Sequence, residues 1–250
     1  MFPYRDDNPT VITPIVTVGI IAVNALAWVL VQGAGFSEAA LVRSVCNLGL
    51  VPGELLRTVA PGTSVPLSRE WACIVDPDPS YFTVLTSMFM HGGWFHLIGN
   101  MVFLWVFGNN IEDAMGHGRF LVFYLLCGVA AAAVQTFLQP ASAIPMVGAS
   151  GAISGVLGAY LLLYPRVRVH TLIFLGFYVT TTAVPAYLML GYWILLQILG
   201  GLPALAGAQE GGVAFWAHIG GFGAGLVLIK VFARSENLQR RPRAAARWGS

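Results

Sequence analysis

The chain has 250 residues, of which 57% are hydrophobic and only 10% carry a charged side chain, and its mean hydropathy is +0.74. Soluble domains carry about 25% charged residues, so this composition excludes a water-soluble protein and indicates one embedded in a lipid bilayer. The formal net charge of +2 is too small to indicate a nucleic-acid partner.

Six apolar segments approach the roughly 20 residues that a membrane-spanning helix needs. They are residues 13–32, 95–115, 120–138, 150–164, 184–200 and 214–233. We therefore predict an all-α polytopic membrane protein: a short segment (1–12), a six-helix domain (13–233) and a basic tail (234–250). The first apolar run has no small-residue cleavage motif, so we expect it to be retained.

Two stretches between the predicted helices are harder to interpret. Residues 33–94 are rich in Pro, Gly and charge and are too long for a simple connector, so we expect a structured first loop with short helices on the membrane surface. Cys46 and Cys73 both lie in this loop, and they could pair if it faces an oxidising compartment. The β-branched run 167–182 could be an interfacial segment, an extended segment or an early start to the fifth helix.

The basic residues are divided unevenly between the two sides that six spans would define. Ten of the thirteen fall on the side of the termini, and the other three lie in the first loop. The three are Arg43, Arg57 and Arg69. Because short cytoplasmic segments carry the excess of Lys and Arg, we expect a multi-pass protein of the plasma (inner) membrane with both termini cytoplasmic.

A few polar residues lie within or beside the apolar helices, where they are costly and usually functional. His96 and Asn100 are four residues apart in the second predicted helix and so share one face, and His91 precedes them. Ser150 begins the fourth predicted helix, and His218 lies within the sixth. These five residues are the candidate site.

The fourth and sixth predicted helices also carry ridges of small residues. The fourth has two neighbouring ridges, Ser150, Ser154, Gly158 and Gly151, Gly155, Ala159. The sixth has a GxxxG motif, Gly221 and Gly225, just beyond His218. Small ridges let helix backbones approach closely in lipid. If these two faces meet, the Ser150 hydroxyl comes within hydrogen-bond reach of His218.

This pairing would suit nucleophilic catalysis. Segment 150–164 rises about 22 Å, less than the bilayer core of about 30 Å, and Pro165, Arg166 and Arg168 place its far end at the cytoplasmic interface. Ser150 should therefore lie below the outer surface. We expect a watery cavity that opens outward at this depth. His218 would act as general base, while the Ser150 backbone N–H, the Asn100 amide and the His96 imidazole surround an oxyanion. No Asp or Glu lies within the cores of the predicted helices. The catalytic machinery would therefore be a Ser–His dyad without the acidic third member of the usual triad.

Three motifs, "HGGWFHLIGNM", "GASGAISG" and "AHIGGFGAG", resemble in this order those of the rhomboid family of intramembrane serine proteases, over about residues 11–233. The resemblance implies a rhomboid-like bundle in which Ser150 is the nucleophile, His218 the base, and His96 and Asn100 assist at the oxyanion. It implies a supporting role for His91. The motif glycines expected to support the site are Gly148, Gly151, Gly221 and Gly225.

The resemblance also implies substrates that are transmembrane segments of other proteins, cut near their outer ends, and neither a metal nor a cofactor. Two features depart from the family pattern. Some members have a tyrosine that stacks on the catalytic histidine, where this chain has Ser154. A Trp-Arg pair often seen in the first loop has no clear match, which leaves the structure of that loop open.

Three other functions compete with this interpretation. An inactive rhomboid-like protein that binds transmembrane segments should lack the serine or the histidine, and this chain has both. A zinc protease could use His91, His96 and His218, but the chain has no H-E-x-x-H motif. A transporter should show paired charges or broken helices at the midplane, which the sequence does not show.

Overall fold

The computed structural model describes residues 2–175, 178–205 and 212–240, and it is mostly helical. The helices are α1 (Ile15–Leu30), α2 (Glu38–Leu48), α3 (Pro52–Leu55), α4 (Thr83–Thr86), α5 (Trp94–Phe103), α6 (Asn109–Met115), α7 (His117–Leu138), α8 (Ser150–Leu163), α9 (Ala186–Leu205), α10 (Phe215–Phe232) and α11 (Ser235–Arg240). The strands are β1 (Phe2–Asp6), β2 (Ser64–Pro66), β3 (Ala72–Ile74), β4 (Arg168–Leu175) and β5 (Tyr178–Pro185). Most of the predicted basic tail, residues 241–250, lies outside the described residues.

Three of the described helices are long and apolar enough to cross a membrane: α7, α10 and the part of α9 from Ala186 to Pro203. Helices α1 and α8 are apolar but shorter. The second predicted span is one continuous helical run, in which the π-helical turn Leu104–Gly108 joins α5 to α6. A helix therefore covers most of each of the six predicted segments, and the number of spans stays a prediction.

Helix α8 lies at the centre of the bundle and packs against both α7 and α10, which also pack against each other. Nine consecutive residues of α8, 152–160, are buried. A helix that is apolar on every side has no face for solvent and is buried by its neighbours. Ser150, the first residue of α8, therefore belongs to a helix that is buried along most of its length.

The small ridges predicted in the fourth and sixth segments do meet, between α8 and α10. A Cβ atom added to Gly225 would overlap the carbonyl oxygen of Gly155, and one added to Gly221 would overlap the carbonyl oxygen of Gly151. The contacting pairs advance together along both helices, so α8 and α10 run parallel. Their N termini consequently lie at the same end of the bundle.

Two small antiparallel sheets depart from the all-α prediction. Strands β1, β4 and β5 form one sheet in that order, and β2 pairs with β3 in the first loop. The ambiguous run 167–182 is thus extended, with Thr171 opposite Thr182 in a β4–β5 hairpin. Its β-branched residues favour a strand. Strand β1, which lies within the predicted segment 1–12, pairs with β4 far along the chain.

Acidic residues of α6 bind the chain around the start of α1. The buried Glu112 carboxylate accepts hydrogen bonds from the backbone N–H groups of Val16 and Thr17, at 2.9 and 2.8 Å, and from the Thr17 hydroxyl at 2.7 Å. Asp113 Oδ1 accepts from the Ile12 N–H at 2.9 Å. A negative charge at a helix N-terminus satisfies unpaired donors and interacts favourably with the helix dipole.

The first loop is structured, and it contains α2, α3, α4 and the β2–β3 hairpin. A disulfide joins Cys46 in α2 to Cys73 in β3. The two ends of the loop are also joined, because Gln32 Nε2 donates to the His91 carbonyl and the His91 N–H donates to Gln32 Oε1, both at 2.8 Å. The start of α5, which carries His96, is thereby tied to the end of α1.

Candidate active site

Ser150 and His218 are in direct contact at the N termini of the two parallel helices. Ser150 is the first residue of α8, and His218 lies in the first turn of α10. Ser150 Oγ is 2.7 Å from His218 Nε2. This distance fits a hydroxyl donating to an imidazole nitrogen. Residues 68 positions apart in the sequence therefore form one polar pair.

The contact depends on the close approach of α8 and α10. Gly151 and Gly221 face each other directly beside the pair, so a side chain at Gly221 would push the two backbones apart. Helix α7 adds a further contact, because Gln135 Oε1 accepts a hydrogen bond from the Ala217 N–H at 3.0 Å. The backbone next to His218 is thus fixed from two sides.

The other face of His218 contacts α9. His218 Nδ1 is 2.8 Å from Gln197 Oε1, and Gln197 Nε2 donates to the Trp193 carbonyl oxygen at 3.2 Å. Because a carbonyl oxygen can only accept, the amide nitrogen of Gln197 faces Trp193 and its oxygen faces the imidazole. The Trp193 ring lies 5.8 Å from the His218 ring, at an interplanar angle of 40°.

Neither of these two α9 residues is predicted from the sequence. Gln197 stands alone in the apolar run "YWILLQILG", and a polar residue in such a run was the signal that could have identified it. The aromatic neighbour of His218 comes from α9 rather than from position 154. Ser154 is fully buried, and its hydroxyl donates back to the Ser150 carbonyl at 2.6 Å.

His96 lies next to Ser150, across Gly148. A Cβ atom added to Gly148 would be 2.7 Å from His96 Cε1 and Nε2 and 3.5 Å from Ser150 Oγ. Gly148 has φ +128°, which favours glycine, so both space and backbone conformation exclude a side chain. The Gly92 N–H donates to His96 Nδ1 at 3.4 Å, which leaves the proton of a neutral ring on Nε2, the nitrogen that faces Gly148.

Asn100 lies one turn beyond His96, and both residues line the same cavity. Its side chain is buried, and its Nδ2 has no hydrogen-bond partner among the described residues. A buried amide nitrogen without a partner is costly. Asn100 therefore carries an unused hydrogen-bond donor at the wall of the cavity.

His91 lies behind His96 and is fully buried. The two imidazole rings are 5.2 Å apart in an edge-to-face arrangement. The contact of His91 with the site is therefore one of packing against His96.

The candidate site lines a cavity of about 730 Å³. Ser150, His218, His96 and Asn100 all contribute to its wall. The apolar residues of the wall include Met88, Phe103, Leu157, Trp193 and Val213. The cavity thus combines four polar groups with a mostly apolar wall, as ligand sites commonly do. Among residues 2–175, 178–205 and 212–240, no group of three His, Cys, Asp or Glu side chains could hold a metal ion.

These features define a mostly helical, membrane-embedded protein with a serine–histidine pair at the wall of a cavity. The model of the Rhomboid domain matches residues 78–235, more than half of the chain and all of the candidate site. The chain therefore belongs to the rhomboid family.

Three curated proteins illustrate the similarity. Rhomboid protein 1, mitochondrial, of Saccharomyces cerevisiae is 27% identical over 176 residues, which are 68% of this chain and 47% of the yeast protein. Rhomboid-like protein 11, chloroplastic, of Arabidopsis thaliana is 37% identical over 78 residues, 31% of this chain and 28% of its own length. Rhomboid protease GluP of Bacillus subtilis is 40% identical over 81 residues, 32% of this chain and 15% of its own length. The chain thus spans less than half the length of these relatives.

Proposed function

We propose that this protein is an intramembrane serine endopeptidase that cuts transmembrane segments of other membrane proteins near their outer ends. The observation that carries the proposal is the 2.7 Å contact between Ser150 Oγ and His218 Nε2 at the wall of the cavity. Membership of the rhomboid family and the similarity to a relative named as a protease support the same conclusion.

In the first step Ser150 Oγ attacks the carbonyl carbon of the scissile peptide bond. His218 Nε2 takes the hydroxyl proton as the bond forms, and it then gives this proton to the leaving amine as the C–N bond breaks. The product on the enzyme is an ester of Ser150. In the second step water attacks this ester, His218 takes a proton from the water and returns it to Ser150, and the acid product leaves.

The negative charge that develops on the substrate carbonyl oxygen needs donors placed in advance. Asn100 Nδ2 is buried at the cavity without a partner, and His96 Nε2 faces Gly148 beside the nucleophile. We propose that these two groups and the Ser150 backbone N–H form the oxyanion hole. His91 then supports His96 by packing.

The substrate follows from the surroundings of the site. We propose that so apolar a chain meets its substrate in the bilayer, as a transmembrane helix. This helix must unwind locally, because a helical peptide bond is shielded by its own backbone. Six spans, cytoplasmic termini and a site open to the outer side of a plasma (inner) membrane belong to this proposal. The Cys46–Cys73 disulfide supports an outer position for the first loop, since disulfides persist in oxidising compartments.

The test uses purified protein in detergent with a model transmembrane substrate and a fluorophosphonate probe. Wild type should cleave the substrate and label on Ser150, whereas Ser150→Ala and His218→Ala should do neither. Ser154→Ala is the matched control, because Ser154 is a buried serine one turn further along the same helix and its hydroxyl bonds only a backbone carbonyl among the contacts described. It should retain both activities.

Equal cleavage by wild type, Ser150→Ala and His218→Ala would refute the proposal. A folded wild type that neither cleaves nor labels would instead favour an inactive rhomboid-like protein that binds transmembrane segments. Binding of the model substrate by that protein, measured by crosslinking, would then establish the alternative.

A further inference from the structure

We infer that Gln197 is a positioning residue for His218, so that the polar machinery has a third, uncharged member contributed by α9. The inference rests on the proposed function, because it assigns a role to the histidine that acts as base. Gln197 is 9% exposed and lies in the middle of an apolar helix, where a polar side chain is kept at a cost. Its amide makes two hydrogen bonds, and both bear on the geometry of the site.

The first bond fixes the orientation of the glutamine itself. Gln197 Nε2 donates to the carbonyl oxygen of Trp193, one turn earlier in the same helix. Because that oxygen has no proton to offer, a flipped amide would place two acceptors against each other. The bond therefore directs Gln197 Oε1 away from its own backbone and toward α10.

The second bond fixes the tautomer of His218. Gln197 Oε1 lies 2.8 Å from His218 Nδ1 and can only accept, so Nδ1 must carry the proton of the neutral ring. Nε2 is then left with its lone pair, and it faces Ser150 Oγ at 2.7 Å. This is the tautomer that can take the serine proton. The opposite tautomer would direct an N–H at the hydroxyl and could not act as base.

The same bond strengthens during the reaction. When His218 takes the serine proton, the ring becomes an imidazolium, and the hydrogen bond from its Nδ1 to Gln197 Oε1 becomes charge-assisted. Trp193 lies beside the ring and limits its rotation. The α9 pair thus orients the imidazole and stabilises its charged form without placing a carboxylate in the bilayer.

Two substitutions at this position separate positioning from packing. Gln197→Met keeps the length and volume of the side chain but removes the acceptor. Gln197→Glu keeps an acceptor oxygen at the same reach, and the hydroxyl of its neutral carboxyl group can replace Gln197 Nε2 as the donor to the Trp193 carbonyl. We expect Gln197→Met to lower kcat about 10- to 100-fold with KM within twofold of wild type, the loss expected for one hydrogen bond to a charged group. Gln197→Glu should restore most of the rate.

A wild-type rate in Gln197→Met would overturn the inference. So would an equal loss in Gln197→Met and Gln197→Glu, since the acceptor would then not be what matters. The comparison variant is Gln135→Met, which removes another buried glutamine that bonds to α10, at the backbone of Ala217 rather than at the imidazole. It should lower thermal stability while His218 keeps its tautomer.

The tautomer is measured directly by 15N NMR of protein labelled at histidine, with the His218 signals assigned by their loss in His218→Ala. Wild type should show a protonated Nδ1 and an unprotonated Nε2 at neutral pH. A protonated Nε2 would overturn the inference even if Gln197→Met does not fold. The NMR experiment does not require activity, so an inactive wild type refutes the proposed function alone, whereas the wrong tautomer refutes the positioning role alone.

Discussion

The close approach of α8 and α10 makes Gly221→Ala the most informative single substitution outside the polar groups. The added Cβ atom would lie 3.0 Å from the carbonyl carbon of Gly151 and closer still to its oxygen, whereas ordinary van der Waals contacts of a Cβ begin at 3.4 Å. The atom it meets is backbone, which cannot rotate away. The two helices must therefore separate by about 1 Å at the level of Ser150.

The consequences of this separation differ for stability and for activity. Overpacking of this kind costs about 1–3 kcal/mol of unfolding free energy. The effect on the reaction is larger, because Ser150 Oγ and His218 Nε2 are 2.7 Å apart and lie one and three residues from the contact. A misplacement of 1 Å can lower a rate about 100-fold. We expect Gly221→Ala to fold with reduced stability and to label with fluorophosphonate roughly 100 times more slowly than wild type.

Gly223→Ala is the matched control, because it lies two residues further along the same helix and an added Cβ there meets nothing within 4 Å. Its labelling rate should be within twofold of wild type. Both variants are assayed after size-exclusion chromatography, so that only folded protein is compared. If Gly221→Ala labels as fast as Gly223→Ala, the close approach of the two helices is not what brings the serine and the histidine together.

Three further predictions concern other parts of the molecule. Asn100→Ala should lower kcat about 100- to 1,000-fold with little change in KM, as expected for the loss of an oxyanion donor, and steady-state cleavage kinetics would contradict that role if kcat is unchanged. Glu112→Ala should lower the unfolding free energy by about 1–3 kcal/mol for each buried donor left unpaired at the start of α1, and equilibrium denaturation in mixed micelles measures this. Replacing Cys46 and Cys73 by serine should cost about 3.5 kcal/mol for a sequence separation of 27, and a reducing agent should destabilise wild type but not the double variant.

The contact between α8 and α10 could be predicted from the sequence alone because the close approach of the two helices depends on one residue type, glycine. A ridge of small residues lets two helix backbones approach closely, and Gly221 and Gly225 do contact the backbone carbonyls of Gly151 and Gly155. The helix period then fixes which neighbouring side chains come together. The roles of the residues in catalysis stay predictions.

Other features could not be read from local pattern, because a distant segment determines them. Strand β1 forms on residues with no strand periodicity of their own, and β4 supplies its pairing, with Phe2 opposite Leu172. The pairing of Cys46 with Cys73 was left open by the sequence, since it depends on how α2 and β3 pack. Gln197 was overlooked because one polar residue in an apolar helix gives no partner by itself, and its partner His218 lies 21 residues further along the chain.

The uncharged character of Gln197 fits the proposed position of the site below the lipid headgroups. An ionised carboxylate at the centre of a bilayer costs about 2.5–3.5 kcal/mol on insertion scales, and a catalytic histidine paired with aspartate would place that cost in the resting protein. An amide oxygen accepts the same Nδ1–H bond without a net charge, and its own N–H is satisfied by the Trp193 carbonyl. In the proposed mechanism the resting site contains only neutral groups. Charge separates only when His218 takes the serine proton, while Asn100 and His96 receive the opposite charge on the substrate oxygen. A neutral third member therefore suits a site below the lipid headgroups better than an acid would.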